Sequence, residues 1–178
     1  MSKNQHLNLH DYIPYYRFKP KSEFIQIDAR YKEIAQSIGE ALEHLHDLGI
    51  VLRDIDIYNI MMDDISDNSN PRISSIKNSV IMGPENTTFG MCVKNCEFQA
   101  PEVISQLPYN YKADSWSFGV ILFYMLTAEL PFSIKPDSNK SLEDQILNEK
   151  PDFELILKNG HPKLAYELVI KLLDKSPE

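Results

Sequence analysis

The chain has 178 residues, of which 43% are hydrophobic and 25% charged, and this composition is typical of a folded domain rather than a disordered chain. Its formal net charge is −8 and no basic stripe is visible, so we expect neither a nucleic-acid partner nor an anionic membrane as partner. The first nine residues lack the apolar region of a signal peptide, and the longest apolar run is far shorter than the ~18 residues of a membrane span. Two cysteines in a C-x3-C spacing, without a second pair, indicate reduced thiols in a cytoplasmic protein.

The first half of the chain predicts two helices. Residues 8–16 favour a short helix that continues as far as Pro14. A longer amphipathic helix follows Pro20, because apolar residues recur every three or four positions and form one stripe: Ile34, Ile38, Leu42 and Leu45. Gly49 is the residue that we expect to end this helix.

Short strands and loops are predicted after the long helix. The apolar runs 50–52 and 60–62 favour strands, the first with a tight turn as the alternative. Residues 63–71, with the sequence DDISDNSNP, are rich in turn-forming residues and predict a polar loop. Periodicity fades over residues 73–98, which we interpret as a loop.

Helices dominate the second half of the chain. Residues 114–127 are apolar on nearly every side, so this helix is predicted to lie at the centre of the domain. Ser141 and Asp144 form an S-x-x-D capping box that opens a short helix. Pro162 opens another helix, which carries three leucines on one face: Leu164, Leu168 and Leu172.

Several blocks of the sequence resemble protein kinases. The run LHDLGIVLRDIDIYNI, residues 45–60, is similar to the kinase catalytic loop, LHxxGIVHRDLKxxNI. The string R-D-x4-N often occurs by chance, but here it follows a long amphipathic helix, as it does in the family. Three further blocks come in the family's order: APE at 100–102, DSWSFGV at 114–120, and LT followed by LPF within 126–132. The final LLDKSPE resembles the stretch before the family's closing Arg-Pro, so the resemblance covers nearly the whole chain.

The resemblance implies a mainly α (α+β) kinase-like fold, namely the helical C-terminal lobe with a few short strands and without the N-terminal lobe. We expect residues 1–178 to form this single lobe, with a catalytic-loop region at 45–62, an activation-segment-like region at 73–102 and a central helix at 114–127. We also expect a fragment of a longer domain, because the sequence stops just before the arginine that pairs with Glu102 in the family.

The resemblance assigns roles to residues of the catalytic loop and of the segment after it. Asp54 matches the aspartate that accepts the proton of the substrate hydroxyl, although it could simply cap a turn. Asn59 matches the asparagine that holds a magnesium ion beside the nucleotide, or it braces the loop through the backbone. Arg53 would pair with a phosphate on the activation segment, where Thr87 and Thr88 could carry it, unless these are ordinary surface threonines.

Structural roles are implied for three further residues and for one histidine. Asp114 would anchor the backbone of the catalytic loop from the central helix, and Trp116 beside it is expected in the core. Glu102 would hold the activation segment. His46 fits the family's Leu-His position, where we expect packing and not metal binding.

The sequence departs from the kinase pattern where the chemistry is most demanding. Ser75-Ile76-Lys77 stands where the family has the metal-binding Asp-Phe-Gly, so a carboxylate is replaced by a hydroxyl, while Ile76 could still fill the apolar role of the phenylalanine. Asp56 replaces a lysine that steadies the transferred phosphoryl group, and we expect its charge to repel the γ-phosphate. Loss of one such stabilising group typically costs ~10²–10³ in rate. The chain also has no glycine-rich phosphate loop, and Leu52 replaces the usual histidine.

These departures favour a catalytically impaired pseudokinase lobe that serves as a protein-interaction or regulatory module, with protein partners that the sequence does not identify. One alternative is an active serine/threonine kinase whose N-terminal lobe lies outside this chain, and only this alternative requires ATP and magnesium. The other alternative is a structural component of a larger assembly. We assign no metal ligand at the position of the family's metal-binding aspartate, because no acidic residue lies between Pro71 and Pro84.

Overall fold

The computed structural model describes residues 7–17, 24–64, 66, 69–82, 96–134 and 139–176, without the side chains of 15–17 and 24–26. Five strands and seven helices occur in these ranges. The strands are β1 (Leu7–Asn8), β2 (Ile50–Val51), β3 (Ile60–Met62), β4 (Pro71–Ile73) and β5 (Val80–Ile81). The helices are α1 (Leu9–Arg17), α2 (Phe24–Asp47), α3 (Pro101–Ile104), α4 (Lys112–Thr127), α5 (Leu142–Asn148), α6 (Glu154–Lys158) and α7 (Lys163–Leu172). The predicted mainly α fold is confirmed.

Helix α2 forms because its apolar residues make one stripe, and this stripe is buried: Ile27, Tyr31, Ile34, Ile38 and Leu42. The helix ends before Gly49, whose φ of 73° lies in the left-handed region that glycine adopts without strain. The chain then turns directly into β2. The predicted end of the helix is therefore confirmed, and its position sets where the catalytic-loop region begins.

Two small antiparallel sheets flank the catalytic-loop region. The first has the strand order β1-β3-β4, with Leu7 opposite Met62 and Ile60 opposite Ile73. The second pairs β2 with β5, so that Val51 lies opposite Val80. Because β2 and β3 lie on either side of residues 52–59 within the catalytic-loop region, this loop is fixed at both ends.

Helix α4 is the centre of the lobe. Twelve of its side chains are buried, which agrees with a sequence that is apolar on nearly every side. It packs against α7 so closely that a Cβ atom built on Gly119 would come within 2.8 Å of Cβ of Leu172. Only glycine permits this approach, so the residue at position 119 sets the distance between the two helices.

The structure contains elements that the sequence patterns did not predict. Strands β1 and β5 have two residues each, and helices α3 and α6 have four and five, so all are too short to show a hydrophobic period. β5 lies within the segment that we interpreted as a loop. Pro14 is inside α1 and does not end it, since the helix continues to Arg17.

A mostly apolar groove of about 490 Å³ runs between α2, α4 and α7. The predicted leucine face of α7 is not buried in the core: Leu164 is 77% exposed and Leu168 45%, and both line this groove. Val169 and Leu173 are buried instead. Within the described ranges, no helix combines the length and hydropathy needed to cross a bilayer.

Candidate functional site

The start of the catalytic-loop region is fastened to the central helix by Asp114. Its fully buried carboxylate accepts hydrogen bonds from the backbone N–H groups of Leu52 and Arg53, both at 2.8 Å. Nε2 of His46, at the end of α2, lies 3.0 Å from the same carboxylate. Arg53 has a φ of 66°, which a non-glycine residue adopts only when its surroundings hold it there. One carboxylate thus joins α2, α4 and the loop.

Asp54 is half-buried, and one oxygen of its carboxylate already accepts a hydrogen bond. The side-chain amide of Asn78 donates to Oδ2 of Asp54 at 2.6 Å. Nε of Arg53 donates to the backbone carbonyl of the same Asn78 at 2.7 Å. The residue that we aligned with the catalytic base therefore faces a neighbouring segment of its own chain.

Asn59 is positioned to brace the loop. Its side-chain amide donates to the backbone carbonyl of Asp54 at 3.0 Å. Its own backbone carbonyl accepts hydrogen bonds from N–H and Oγ of Ser74, at 2.8 and 3.0 Å. These contacts tie the loop to the segment after β4, and metal binding by Asn59 stays a prediction.

Asp56 is buried and its carboxylate is hydrogen-bonded to the backbone of its own loop, while repulsion of a phosphate by its charge stays a prediction. It is 2% exposed, and Oδ1 accepts hydrogen bonds from the backbone N–H groups of Tyr58 (2.8 Å) and Asn59 (2.7 Å). The short aspartate side chain caps the turn at 57–59, as aspartate commonly does in such turns. The lysine of the family pattern could not make these contacts, because an ammonium group has no acceptor.

The segment Ser75-Ile76-Lys77 does not reproduce the family's metal motif. Ile76 is 64% exposed, so the expectation that it fills the buried role of the phenylalanine was wrong. Magnesium prefers carboxylate oxygens, whereas Ser75 offers a hydroxyl, and the neighbouring Lys77 is a cation. Among the residues that the structure describes, no three acidic, histidine or cysteine side chains cluster as metal ligands would. The donor set at this position does not fit the magnesium ion of a kinase.

The predicted regulatory residues can be placed only in part. Thr87 and Thr88 lie outside the described residues. The guanidinium of Arg53 uses Nε for Asn78 and lies 3.5 Å, through Nη1, from the hydroxyl of Tyr109. A phosphate-binding role for Arg53 stays a prediction.

Glu102 and Trp116 sit in the lobe that supports the loop. Burial raises the pKa of the Glu102 carboxyl above its ordinary value of 4.5, against the opposing effects of a hydrogen bond to its own backbone and of the nearby Lys112. Trp116 is 3% exposed and its ring stacks on Phe132 with centroids 6.1 Å apart. Trp116 therefore belongs to the core, as expected.

Sequence reasoning missed Asn78 altogether. It lies in the stretch without periodicity, and nothing in a single Lys-Asn-Ser triplet distinguishes a contact with Asp54 from an ordinary turn. His46 was placed in the core by resemblance alone, and its hydrogen bond to Asp114 was not foreseen. Both contacts join residues more than 20 positions apart, which local patterns do not encode.

The comparison with family models identifies this arrangement. The model of the protein kinase domain matches residues 4–178, so the chain belongs to the protein kinase family. The matching range includes the catalytic-loop region, the activation-segment-like region and the central helix.

Ribosomal protein S6 kinases are among the relatives of the chain. The chain is 40% identical over 110 residues to human ribosomal protein S6 kinase alpha-6, a match that covers 62% of the chain and 14% of the relative. It is 32% identical over 158 residues to mouse ribosomal protein S6 kinase alpha-4, covering 85% of the chain and 19% of the relative. Xenopus laevis ribosomal protein S6 kinase 2 alpha is 30% identical over 161 residues, with 90% and 20% covered. The chain thus spans no more than about a fifth of the length of these relatives.

Proposed function

We propose that this chain is a catalytically impaired protein-kinase lobe that acts as a protein-interaction or regulatory module. The observation that carries the proposal is the segment Ser75-Ile76-Lys77, which stands at the metal-binding position without a carboxylate. Phosphoryl transfer depends on metal ions that neutralise the developing charge between the phosphates. A site without that carboxylate loses the group on which most of this catalysis depends.

The state of the neighbouring residues supports the proposal. Oδ2 of Asp54 already accepts a hydrogen bond from Asn78, and the carboxylate of Asp56 is buried and hydrogen-bonded to backbone N–H groups, so both carboxylates serve the loop itself. The residues that hold the lobe together are intact by comparison, since Asp114 keeps three hydrogen-bonding partners. Retention of the scaffold with loss of the chemistry is the pattern expected of a protein that works by binding.

We propose that the partner is another protein and that binding takes place in the cytoplasm. The net charge of −8 opposes binding to nucleic acid or to an anionic membrane surface. Large exposed apolar side chains, such as Leu164 at 77% and Ile81 at 79%, are compatible with protein contacts.

A second candidate is an active serine/threonine kinase. It is favoured by the names of the relatives, which are S6 kinases, and by the presence of Asp54 and Asn59 in the catalytic-loop pattern. This candidate needs ATP and magnesium, and it needs a metal ligand other than Ser75. It also needs the upper half of the nucleotide site from residues outside this chain.

The two candidates differ in Asp54-dependent phosphoryl transfer. Transfer from γ-labelled ATP to a basic protein substrate would be measured for the chain alone and for the chain with any residues encoded upstream of it. Asp54→Asn serves as the matched variant, since its size is unchanged. We expect no transfer that depends on Asp54. Transfer that disappears in Asp54→Asn would establish the active kinase and reject our proposal.

A further inference from the structure

Asn78 contacts the two neighbouring residues of the predicted catalytic loop through different atoms. Its side-chain amide donates to Oδ2 of Asp54 at 2.6 Å, and its backbone carbonyl accepts from Nε of Arg53 at 2.7 Å. Both bonds involve a charged side chain, which makes them stronger than bonds between neutral groups. Asn78 is therefore held in a fixed position over the loop.

The chain on both sides of Asn78 is also fixed. Asn78 lies in the turn 76–79. This turn is closed by two hydrogen bonds to the carbonyl of Ile76, from N–H of Ser79 at 3.0 Å and from Oγ of Ser79 at 2.7 Å. After it, β5 pairs with β2, and N–H of Met82 donates to the carbonyl of Gly49 at 2.8 Å. Since β2 leads directly into the catalytic-loop region, loop and segment form one hydrogen-bonded unit.

We propose that Asn78 is an internal blocking residue, whose amide occupies Oδ2 of the Asp54 carboxylate and competes there with a substrate hydroxyl. This inference rests on the proposed function, because it explains how an aspartate of the catalytic pattern is kept from acting. It needs no modification of the protein, since both contacts of Asn78 are made by unmodified side chains. Asn78 acts on Asp54 by occupying it, and it is not itself a catalytic residue.

The chemistry of the amide suits this role. The Asn78 amide takes one acceptor position on Oδ2 of Asp54, and a hydrogen bond to the charged form also makes the carboxylate a weaker proton acceptor for a substrate hydroxyl. An asparagine amide offers hydrogens but cannot take up the proton, so the contact is stable and chemically inert. Alanine at position 78 would remove the amide while leaving the backbone carbonyl that Arg53 contacts.

The test measures how readily the Asp54 carboxylate reacts in solution. The 178-residue chain would be treated with a water-soluble carbodiimide and an amine, and modification of Asp54 would be followed over time by peptide mass spectrometry. Exposed Asp47 serves as an internal reference. The matched control is Asn70→Ala, the same chemical change at an exposed position.

We expect Asp54 to react roughly tenfold faster in Asn78→Ala than in the unaltered chain, because the hydrogen bond from Asn78 stabilises the carboxylate and makes it less reactive. Asn70→Ala should leave the rate unchanged. Equal rates for Asp54 in the unaltered chain and in Asn78→Ala would overturn the proposal.

If Asn78→Ala disturbs folding, a second set of variants tests the proposal by exchanging the carboxylate and the amide between positions 54 and 78. Asn78→Asp alone places two carboxylates together and should speed hydrogen–deuterium exchange at the amides of Val80 to Met82. Asp54→Asn combined with Asn78→Asp restores one donor and one acceptor, so exchange should return towards that of the unaltered chain. If the double variant exchanges as fast as Asn78→Asp, the contact does not hold the segment and the proposal fails.

These measurements are independent of phosphoryl transfer. If the chain proves to be an active kinase but Asp54 is unblocked by Asn78→Ala, the proposed function fails and the blocking contact stands. If transfer is absent and the Asp54 rate is the same in both proteins, the blocking contact fails and the proposed function stands.

Discussion

His46 and Asp114 are 68 positions apart, and Nε2 of the histidine lies 3.0 Å from Oδ2 of the aspartate. The histidine lies in the last turn of α2 and the aspartate in the first turn of α4, so this contact joins the two longest described helices. Asp114 also accepts from two backbone N–H groups and is fully buried. One carboxylate therefore joins both helices to the start of the loop.

Asp114→Ala is expected to lower the free energy of unfolding by ~3–5 kcal/mol, because it leaves two backbone N–H groups buried without an acceptor. Asp114→Asn keeps one oxygen acceptor and should cost less. Urea denaturation followed by circular dichroism measures both. Asp47→Ala, which removes an exposed carboxylate at the end of α2, is the control and should stay within about 0.5 kcal/mol. Similar stabilities for the Ala variants at 47 and 114 would refute the anchoring role.

Gly119→Ala and Gly39→Ala are expected to change stability in opposite directions. A Cβ atom at position 119 would meet Leu172 at 2.8 Å and force α4 and α7 apart, with a cost of typically ~1–3 kcal/mol. At position 39, in the middle of α2, the nearest atoms lie 3.9 Å away, and alanine should stabilise the helix by ~0.5–1 kcal/mol. Thermal unfolding of the two variants gives the comparison. A neutral effect at position 119 would show that the helices can separate freely.

Asp56→Lys restores the family's residue and is nevertheless expected to destabilise the protein. The substitution removes the acceptor for the backbone N–H groups of Tyr58 and Asn59 and places a cation at a position that is 2% exposed. We expect a loss of at least ~2 kcal/mol by chemical denaturation. Asp47→Lys, the same charge reversal on an exposed carboxylate, should change little. An Asp56→Lys protein as stable as the original would mean that this turn does not need its cap.

Glu102 is expected to make stability fall with rising pH. Burial raises the pKa of its carboxyl in the folded protein, so between the ordinary value of 4.5 and the raised value the folded state binds more protons than the unfolded state. Stability from this residue is thus highest at low pH and declines as the pH rises through that interval. Glu102→Gln should remove the decline and be the more stable protein at pH 7. The free energy of unfolding of both proteins would be measured by denaturation between pH 4 and pH 8. If the two proteins differ by the same amount at every pH, this prediction is wrong.

The sequence was sufficient to predict the parts of the fold that are long or locally determined. The stripe of α2, the end at Gly49 and the apolar helix α4 were all readable, because periodicity and turn chemistry act over a few residues. Ser141, predicted to cap α5, does accept a hydrogen bond from N–H of Asp144. The family resemblance places Asp54 and Asn59 in one loop, and the amide of Asn59 does donate to the backbone carbonyl of Asp54.

The remaining features depend on contacts between distant residues. The carboxylate of Asp56 points inward because two backbone N–H groups need an acceptor there. Comparing the charge of aspartate with that of the family's lysine did not reveal this need. The exposed position of Ile76 follows from the turn 76–79, whose closing bonds come from Ser79. The exposed leucines of α7 could not be anticipated, because a helical stripe shows that one face is apolar but not whether another element covers it.

The most direct test of catalytic impairment is a thermal-unfolding titration with ATP, in the presence and absence of magnesium. It would be run on the chain, on the chain with any residues encoded upstream of it, and on the corresponding Ser75→Asp variants, which replace the hydroxyl with the missing carboxylate. We predict no magnesium-dependent rise in the unfolding temperature for proteins that carry Ser75. A magnesium-dependent rise that Asn59→Ala abolishes would show a working metal site, and it would contradict the conclusion that the lobe has lost this chemistry.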